Sequence, residues 1–518
     1  MQTQIKNEIK RLSRKVFEKK AREEAKAATF KERFRKRTGI EPASSRSSGT
    51  GKFYKHFDPG YCARNANFLA KVLWYKVREF EYEPTPAINY QIPKPDGGQR
   101  SIMSFSIPDA ALANVVFRRT RERNLKKLSP HSYAYHPERN VFDAVLALKN
   151  FPHEGKFFSV QIDFEKYFDN IPIWYIKDRL HEPGLLSITP HERFIFEQFL
   201  RHRSSTNDQY SLGVSQRRFM GTPQGSSVSL LLANLANHEL DVALSSQAGA
   251  FVRFADDVVA ICNEYEQAQR IENCFHSHCE RSGLKINKGK SPGIAIVSPK
   301  SQEMRTTSSI DFLGYKYSDK GLSIPEKAVK KFKTKVSRLL NIYLINGLKH
   351  GFNLNRAALA PYPYDWDLLG FVYELRKSLY GGLSESEISM FLSRDSKKLR
   401  KMKGLMGFYC LLDDSEVLEN LDGWMVNTVR RAIKKRQRIL STSYGADCPT
   451  PNNYQLITGA WLDLRAWRRE AGDPEVLFPS MVRGWRAARK HYFTFGLEGV
   501  QAPNYGDYSD FSSLFDYV

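Results

Sequence analysis

The rhythm of apolar and polar positions changes several times along the chain, and each rhythm predicts a different kind of element. Over residues 1–40 the apolar residues Ile5, Ile9, Leu12 and Val16 recur three and four apart among lysines and arginines. That is the spacing of one helical face, so a basic amphipathic helix is expected there. Residues 41–52 (EPASSRSSGTGK) have no apolar period and are small, polar and Gly/Ser-rich, the composition of a flexible connection. From about 60 to 320, short apolar runs alternate with helical patterns, which predicts an α/β or α+β body. Beyond Pro325 the pattern is helical and basic, as in residues 327–348 and 426–440. The last stretch, 491–518, has no Lys or Arg but carries Glu498, Asp507, Asp510 and Asp516 among aromatic residues.

Two of the strand-like runs carry acids. In FFSVQIDFEKYFDNIP, Ser159 to Ile162 lead directly into Asp163, with Asp169 six residues on. In FVRFADDVVAIC, Asp256 and Asp257 are adjacent and flanked on both sides by apolar residues. Neighbouring ionised carboxylates in such a setting repel each other and lose hydration, so something positive must offset them. A divalent metal is the economical answer: hard Mg²⁺ takes carboxylate oxygens together with substrate phosphates. Between the two runs lies RRFMGTPQGSSVSLLLANLANHELD. Here Gly221, Gly225, Ser226 and Ser227 allow close approach of backbone to a ligand ahead of an apolar helix. Taken alone, that glycine segment is equally well an ordinary turn into a helix.

Composition narrows the setting. The chain has 518 residues, enough for several compact units, and 41% hydrophobic with 13% aromatic content, too rich for a disordered basic chain. Lys and Arg number 79 against 56 Asp and Glu, a formal charge of +23. A folded body with that surplus calls for a polyanionic partner, either nucleic acid or an anionic membrane surface. No run of eighteen apolar residues is present and the N-terminal segment lacks an apolar signal core, so neither membrane spanning nor secretion is expected. Six scattered cysteines fit reduced thiols in a cytoplasmic protein.

The order of motifs resembles the bacterial reverse transcriptases, including those of group II introns, retrons and antiviral defence systems. The residues that carry the resemblance are Asp163 with Tyr167-Phe168-Asp169, then Gly221-Thr-Pro-Gln-Gly225-Ser, and then Phe254-Ala-Asp-Asp257, with Phe where the family commonly has Tyr. Further matches are Ile92-Pro-Lys-Pro-Asp-Gly with Arg100, Ser132-Tyr-Ala-Tyr-His-Pro-Glu-Arg139, Leu284-Lys-Ile-Asn287 with Lys290, and Asp311-Phe-Leu-Gly314. They cover roughly residues 85–320 in the family's order.

The resemblance implies an α+β right-hand polymerase with fingers, an antiparallel palm sheet, a helical thumb and a C-terminal extension. The expected divisions are a basic arm and linker at 1–52, fingers and palm at 53–320, thumb at 321–440 and extension at 441–518. It makes Asp163, Asp256 and Asp257 the catalytic and metal-binding residues, with two Mg²⁺ per site and Mn²⁺ as an alternative. Lys94 and Arg100 would grip the incoming triphosphate, Phe168 would exclude a 2′-hydroxyl, Gln224 and Gly225 would line the nucleotide and template side, and Lys290 would protonate the departing pyrophosphate. The implied partners are an RNA template in the form of a dedicated noncoding RNA, dNTPs and the DNA product, with no membrane; a homo-oligomer stays open. Among the branches of the family, the defence-associated enzymes are the nearest in kind, because no Cys-pair and His endonuclease motif follows residue 320.

Other signals are weaker. Cys274, His276, His278 and Cys279 have the composition of a zinc cluster, but on the helix expected over 264–282 position 276 turns away from 274 and 278, and tetrahedral ligands must converge. Tyr505, Tyr508 and Tyr517, beside acids in the tail, are candidate priming hydroxyls, since some enzymes of the family are thought to begin synthesis on their own side chain. Two other readings compete: an RNA-binding maturase or scaffold, which has no need of adjacent buried aspartates, and an RNA-directed RNA polymerase, which Phe168 opposes.

Overall fold

Apolar alternation in residues 157–162 and near-continuous apolar runs in 250–262 form the centre of the architecture in this computed structural model. It describes residues 1–38, 41, 54–93, 98–299, 305–349, 365–393, 400–462 and 475–501. Lys94, Tyr505, Tyr508 and Tyr517 lie outside the described residues. The chain divides into two compact units, one comprising Met1–Lys26 with Ser45–Thr307, the other Ala27–Ser44 with Ser308–Val518.

Among the described residues, the strands of the first unit are β1 (Ala87–Pro93), β2 (Gln99–Ser104), β3 (Phe157–Ile162), β4 (Arg203–Thr206), β5 (Gln216–Arg217), β6 (Ala250–Phe254), β7 (Asp257–Cys262), β8 (Gly293–Val297) and β9 (Thr306–Thr307). They form two sheets, ordered β2-β1-β4-β5 and β6-β7-β3-β8-β9. The second is the palm sheet, antiparallel at every pairing except the β8–β9 edge. One of its faces buries Val160, Ile162, Val258 and Ala260 in a core shared with Leu231, Leu232 and Leu235 of the helix Val228–Ala236 and with Ile271 and Phe275 of the helix Tyr265–Ser282. The fold is the mixed α+β palm architecture expected of a right-hand polymerase.

The amphipathic pattern at the N-terminus forms the helix Gln2–Thr38. Ile5 and Ile9 are fully buried in the core of the first unit, whereas Val16 is exposed. Glu8, between them, is buried too and accepts hydrogen bonds from Arg11, Asn114 and Arg118. Burial pushes its carboxyl up, but the bonds to Arg11 and Asn114 and the charge of Arg118 outweigh it and bring its pKa below the ordinary value. The N-terminal part of the helix is thus built into the folded body.

In the second unit β10 (Ile310–Phe312), β11 (Tyr315–Ser318) and β12 (Gly321–Ser323) form an antiparallel sheet. The Asp311-Phe-Leu-Gly314 segment therefore lies in the second unit, which takes up the chain again at Ser308. The reason is local bonding. Tyr409 donates to the Gly314 carbonyl at 3.2 Å, Leu322 N–H donates to Asp413 at 2.8 Å, and Tyr315 donates to the Phe408 carbonyl. The helix expected over 327–348 runs regularly from Glu326 to Leu340, then widens into a π-turn at Asn341–Ile345 that buries Tyr343, Leu344 and Ile345. The second basic helix is longer than its pattern, Glu416–Tyr444.

Candidate active site

Strand register brings the acids together. In β3–β7 the last pair is Ile162 with Val258, so one step further Asp163 stands beside Asp257 at the same end of adjacent strands. In β6–β7, Phe254 pairs with Asp257, leaving Ala255 and Asp256 as a two-residue turn. Ala255 takes the left-handed conformation, φ 61°, which a residue with a Cβ adopts only when its surroundings hold it there. Burial raises the pKa of Asp256 and the charge of Asp163 adds to this, while Arg100 and Lys290 act against it. Asp257 is raised by removal from bulk water, then by Asp256 and Asp163, with Lys290 opposing. Its accessible surface leaves Asp257 open to solvent, so water relieves part of that upward push. Three acids that each raise another's cost of ionisation form a site short of positive charge.

The segment carrying Lys290 is attached to the first of these acids through its backbone. The Asp163 carbonyl accepts from the N–H of Asn287 at 2.8 Å, and its own N–H donates to the Ser291 hydroxyl at 3.0 Å. Glu165 N–H donates to the Lys285 carbonyl at 2.8 Å. Lys290 Nζ consequently reaches within 3.8 Å of the Asp163 carboxylate while remaining mostly in solvent.

The glycine segment is packed just as tightly. A Cβ on Gly221, at φ 77°, would come within 2.5 Å of the Asp169 carbonyl oxygen and 2.6 Å of that of Phe168. One on Gly225, at φ 113°, would meet the Met103 carbonyl oxygen at 2.2 Å. Thr222 N–H donates to the Phe168 carbonyl at 2.6 Å, and Met103 N–H of β2 donates to the Gln224 carbonyl at 2.7 Å. The Asp169 carboxylate accepts from Gln224 Nε2 and from Arg218, both at 3.2 Å. This segment is a joint between β2 and the chain that follows Asp163. Replacing Gly221 by Ala forces backbone apart and is expected to cost about 2 kcal/mol or more of stability. Gly213→Ala, at φ 73° with nothing within 4 Å, is expected to cost about half as much. Urea midpoints of the two variants test this, and equal shifts would count against the joint.

Residues 92–317 match the family model described as reverse transcriptase (RNA-dependent DNA polymerase). The chain contains a reverse transcriptase domain. Its enzyme class is that of the RNA-directed DNA polymerases, which are nucleotidyltransferases. No curated protein matches the chain. Among solved structures, it is similar to apo telomerase of Candida tropicalis truncated from the C-terminal domain, at 13% identity over 52% of this chain and 67% of that one, with a TM-score of 0.34. It is similar also to telomerase of Candida albicans in complex with a TWJ fragment of telomeric RNA, at 12% identity, 74% and 66% coverage and a TM-score of 0.36. A third is the RNA-dependent RNA polymerase of a human picobirnavirus, at 14% identity, 51% and 55% coverage and a TM-score of 0.31. The chain thus spans about two thirds of the two telomerase chains and just over half of the viral polymerase.

Within the reverse transcriptase domain the other expected residues fall as follows. Phe168 is half-buried, with its ring edge-to-face against Tyr167 at 5.6 Å and its carbonyl held by Thr222. Arg100 lies on β2 opposite Ile92 and is near enough to draw the Asp256 pKa down. Gly225 is exposed, and the Gln224 side chain is engaged with Asp169. His278 is fully buried, its Nε2 paired with Asn237 Oδ1 at 3.1 Å, and burial drives its pKa down to about 3. Among the described residues no three His, Cys, Asp or Glu side chains are gathered closely enough to hold a metal by themselves. A site that relies on substrate phosphates needs no such all-protein cage, and the all-oxygen donor set of Asp163, Asp256 and Asp257 suits Mg²⁺. No described helix is long and apolar enough to cross a membrane.

The sequence reading missed a buried ion pair in the reverse transcriptase domain, Asp241 with Arg253, at 0% and 1% exposure. The available signal was an arginine inside FVRFA, a charge within a run otherwise apolar enough to be buried.

Proposed function

We propose that this chain copies an RNA template into DNA, with Asp163, Asp256 and Asp257 as the metal-binding acids of a two-metal nucleotidyl transfer. The observation that carries the proposal is the register that sets Asp163 beside Asp257 with Asp256 in the adjoining turn, inside a reverse transcriptase domain. When bound, the divalent ions would neutralise charge on the attacking and leaving oxygens. The protein's own groups supply the rest. Arg100, a planar fork of donors, and Lys94 orient the triphosphate, and the aligned geometry lowers the entropic cost of bringing primer hydroxyl and nucleotide together. Lys290 holds a proton beside the acids for the departing pyrophosphate. The Phe168 ring, set edge-to-face against Tyr167 on a backbone whose carbonyl Thr222 holds, fills the space a 2′-hydroxyl would need. Gln224 supports this ring's segment through Asp169, and Gly225 lets the template side approach backbone closely.

Primer extension on a defined RNA with dNTPs or NTPs tests the reading. DNA product with Mg²⁺ is expected, and Phe168→Ala is expected to raise ribonucleotide use relative to dNTPs by about tenfold or more, the loss of one steric contact being worth roughly 1–3 kcal/mol. Preference for NTPs by the unaltered protein would overturn it.

The motif order also supports a place among phage-defence reverse transcriptases, acting in the cytoplasm on a dedicated noncoding RNA. Sequencing the RNA and DNA that copurify would identify template and start point. Equal plaque counts with and without the active gene across diverse phages would remove the defence role.

A further inference from the structure

We propose that Arg253 is a positioning residue for DNA synthesis, holding the turn that presents Asp256 from the buried side of the palm. The inference rests on the catalytic reading of Asp256 given above. The Arg253 guanidinium is 1% exposed and uses three of its nitrogens. Nε and one terminal nitrogen donate to the two oxygens of Asp241, at 2.7 and 2.6 Å. The other terminal nitrogen donates to Asn234 Oδ1 at 3.0 Å and to the carbonyl oxygen of Ala255 at 3.1 Å.

That last contact matters most. Ala255 is the left-handed residue of the turn, and its carbonyl belongs to the peptide that joins it to Asp256. A planar group clamped at one end by a carboxylate therefore fixes the orientation of the peptide plane from which the Asp256 side chain starts. The clamp is itself anchored on three sides. Asp241 sits on the helix His238–Gln247 and Asn234 on the helix Val228–Ala236. Asn234 also donates to the Ala134 carbonyl at 3.1 Å and accepts from the Ser132 hydroxyl at 3.3 Å. Arg253 N–H donates to the His131 carbonyl at 2.9 Å, and its own carbonyl accepts from Tyr133 N–H at 3.0 Å. This ties the Ser132-Tyr-Ala-Tyr segment into the support of the turn. A turn held only by strand pairing would let Ala255 relax out of the left-handed region and carry Asp256 away from Asp163.

Stability and positioning separate in a double variant. Asp241→Leu with Arg253→Met replaces the ion pair by apolar groups, a change that buried pairs commonly tolerate, but it removes the donor to Ala255. The expected result is a melting temperature near that of the parent, a kcat lower by about tenfold or more, a KM for dNTP within about twofold, and a raised Mg²⁺ concentration for half-maximal rate. Adding Ala255→Gly, which adopts the left-handed conformation without strain, is expected to recover part of the rate. A folded double variant with parental kcat and Mg²⁺ dependence overturns the proposal. Should the double variant melt below the assay temperature, Arg253→Lys gives the same reading. Lysine keeps the charge against Asp241 but cannot hold it and the Ala255 carbonyl together, so an unchanged kcat again overturns the role. Asp256→Asn run alongside separates the two failures. If it stays active, the catalytic reading has failed; if it is inactive while the folded Arg253 variants match the parent, only the positioning role has.

Discussion

Asp256→Asn and Asp257→Asn are each expected to abolish DNA synthesis while leaving the protein folded. On the function proposed above, loss of a metal-binding carboxylate at the reacting centre would remove several kcal/mol of charge stabilisation, which corresponds to a rate lower by about a thousandfold or more. The substitution keeps the shape of the side chain, so β6–β7 pairing and the apolar core behind it have no reason to change. A pH effect accompanies the loss. The folded protein raises the Asp257 pKa from an ordinary 3.8 to about 7, through burial first and then the charges of Asp256 and Asp163. Between those two values the folded form retains a proton that the unfolded chain has released. Ionisation of Asp257 therefore lowers stability progressively as pH rises through that window, and the penalty is absent below it. Its access to solvent keeps the penalty smaller than that of a sealed group. In chelator, Asp257→Asn should melt higher than the parent at pH 8, with the gap closing towards pH 4. Melting curves at both pH values and incorporation by the purified variant provide the check. Undiminished incorporation would end the assignment of the acids, and a variant less stable than its parent at pH 8 would end the electrostatic account.

Asp241→Ala is expected to give a large loss of stability for a single substitution in the palm. It leaves the Arg253 guanidinium, 1% exposed, without the carboxylate it is hydrogen-bonded to, and breaking a buried pair from one side typically costs about 3–5 kcal/mol. For a body of this size that corresponds to a melting temperature lower by roughly 5–8 °C. The same deletion at an exposed pair such as Arg14–Glu18 should cost under about 1 kcal/mol. Denaturant midpoints of Asp241→Ala and Glu18→Ala give the comparison, and a shift at Asp241 no larger than at Glu18 would contradict the buried-pair account.

The candidate site was legible where chemistry conflicts with its surroundings. Adjacent aspartates inside FVRFADDVVAIC and an aspartate at the end of FFSVQI are anomalous for strands meant to be buried. Their order with the glycine segment between them already points to phosphate chemistry. Arg253 is the same kind of anomaly four residues from Asp257, but a lone arginine in a strand has no partner until the fold supplies one. Asp241, in NHELD, has the local pattern of an exposed helical acid. Glu8 likewise gave no sign that it would be buried against Arg118, 110 residues away.

The amino-acid order alone indicates where helical and strand-like segments lie, though not where each ends, because propensity and apolar period act over a few residues, and it indicates the kind of chemistry to look for, because side-chain types do not depend on the fold. Only the tertiary structure decides which part of each apolar stripe is buried: Ile5 and Ile9 are inside and Val16 is not. It alone decides where the second unit begins, through the bonds of Gly314 and Leu322 to the chain around residues 409–413. It alone decides that Arg253 holds the peptide preceding Asp256. These outcomes depend on desolvation and on pairings between residues far apart in the chain, and neither leaves a mark on local composition.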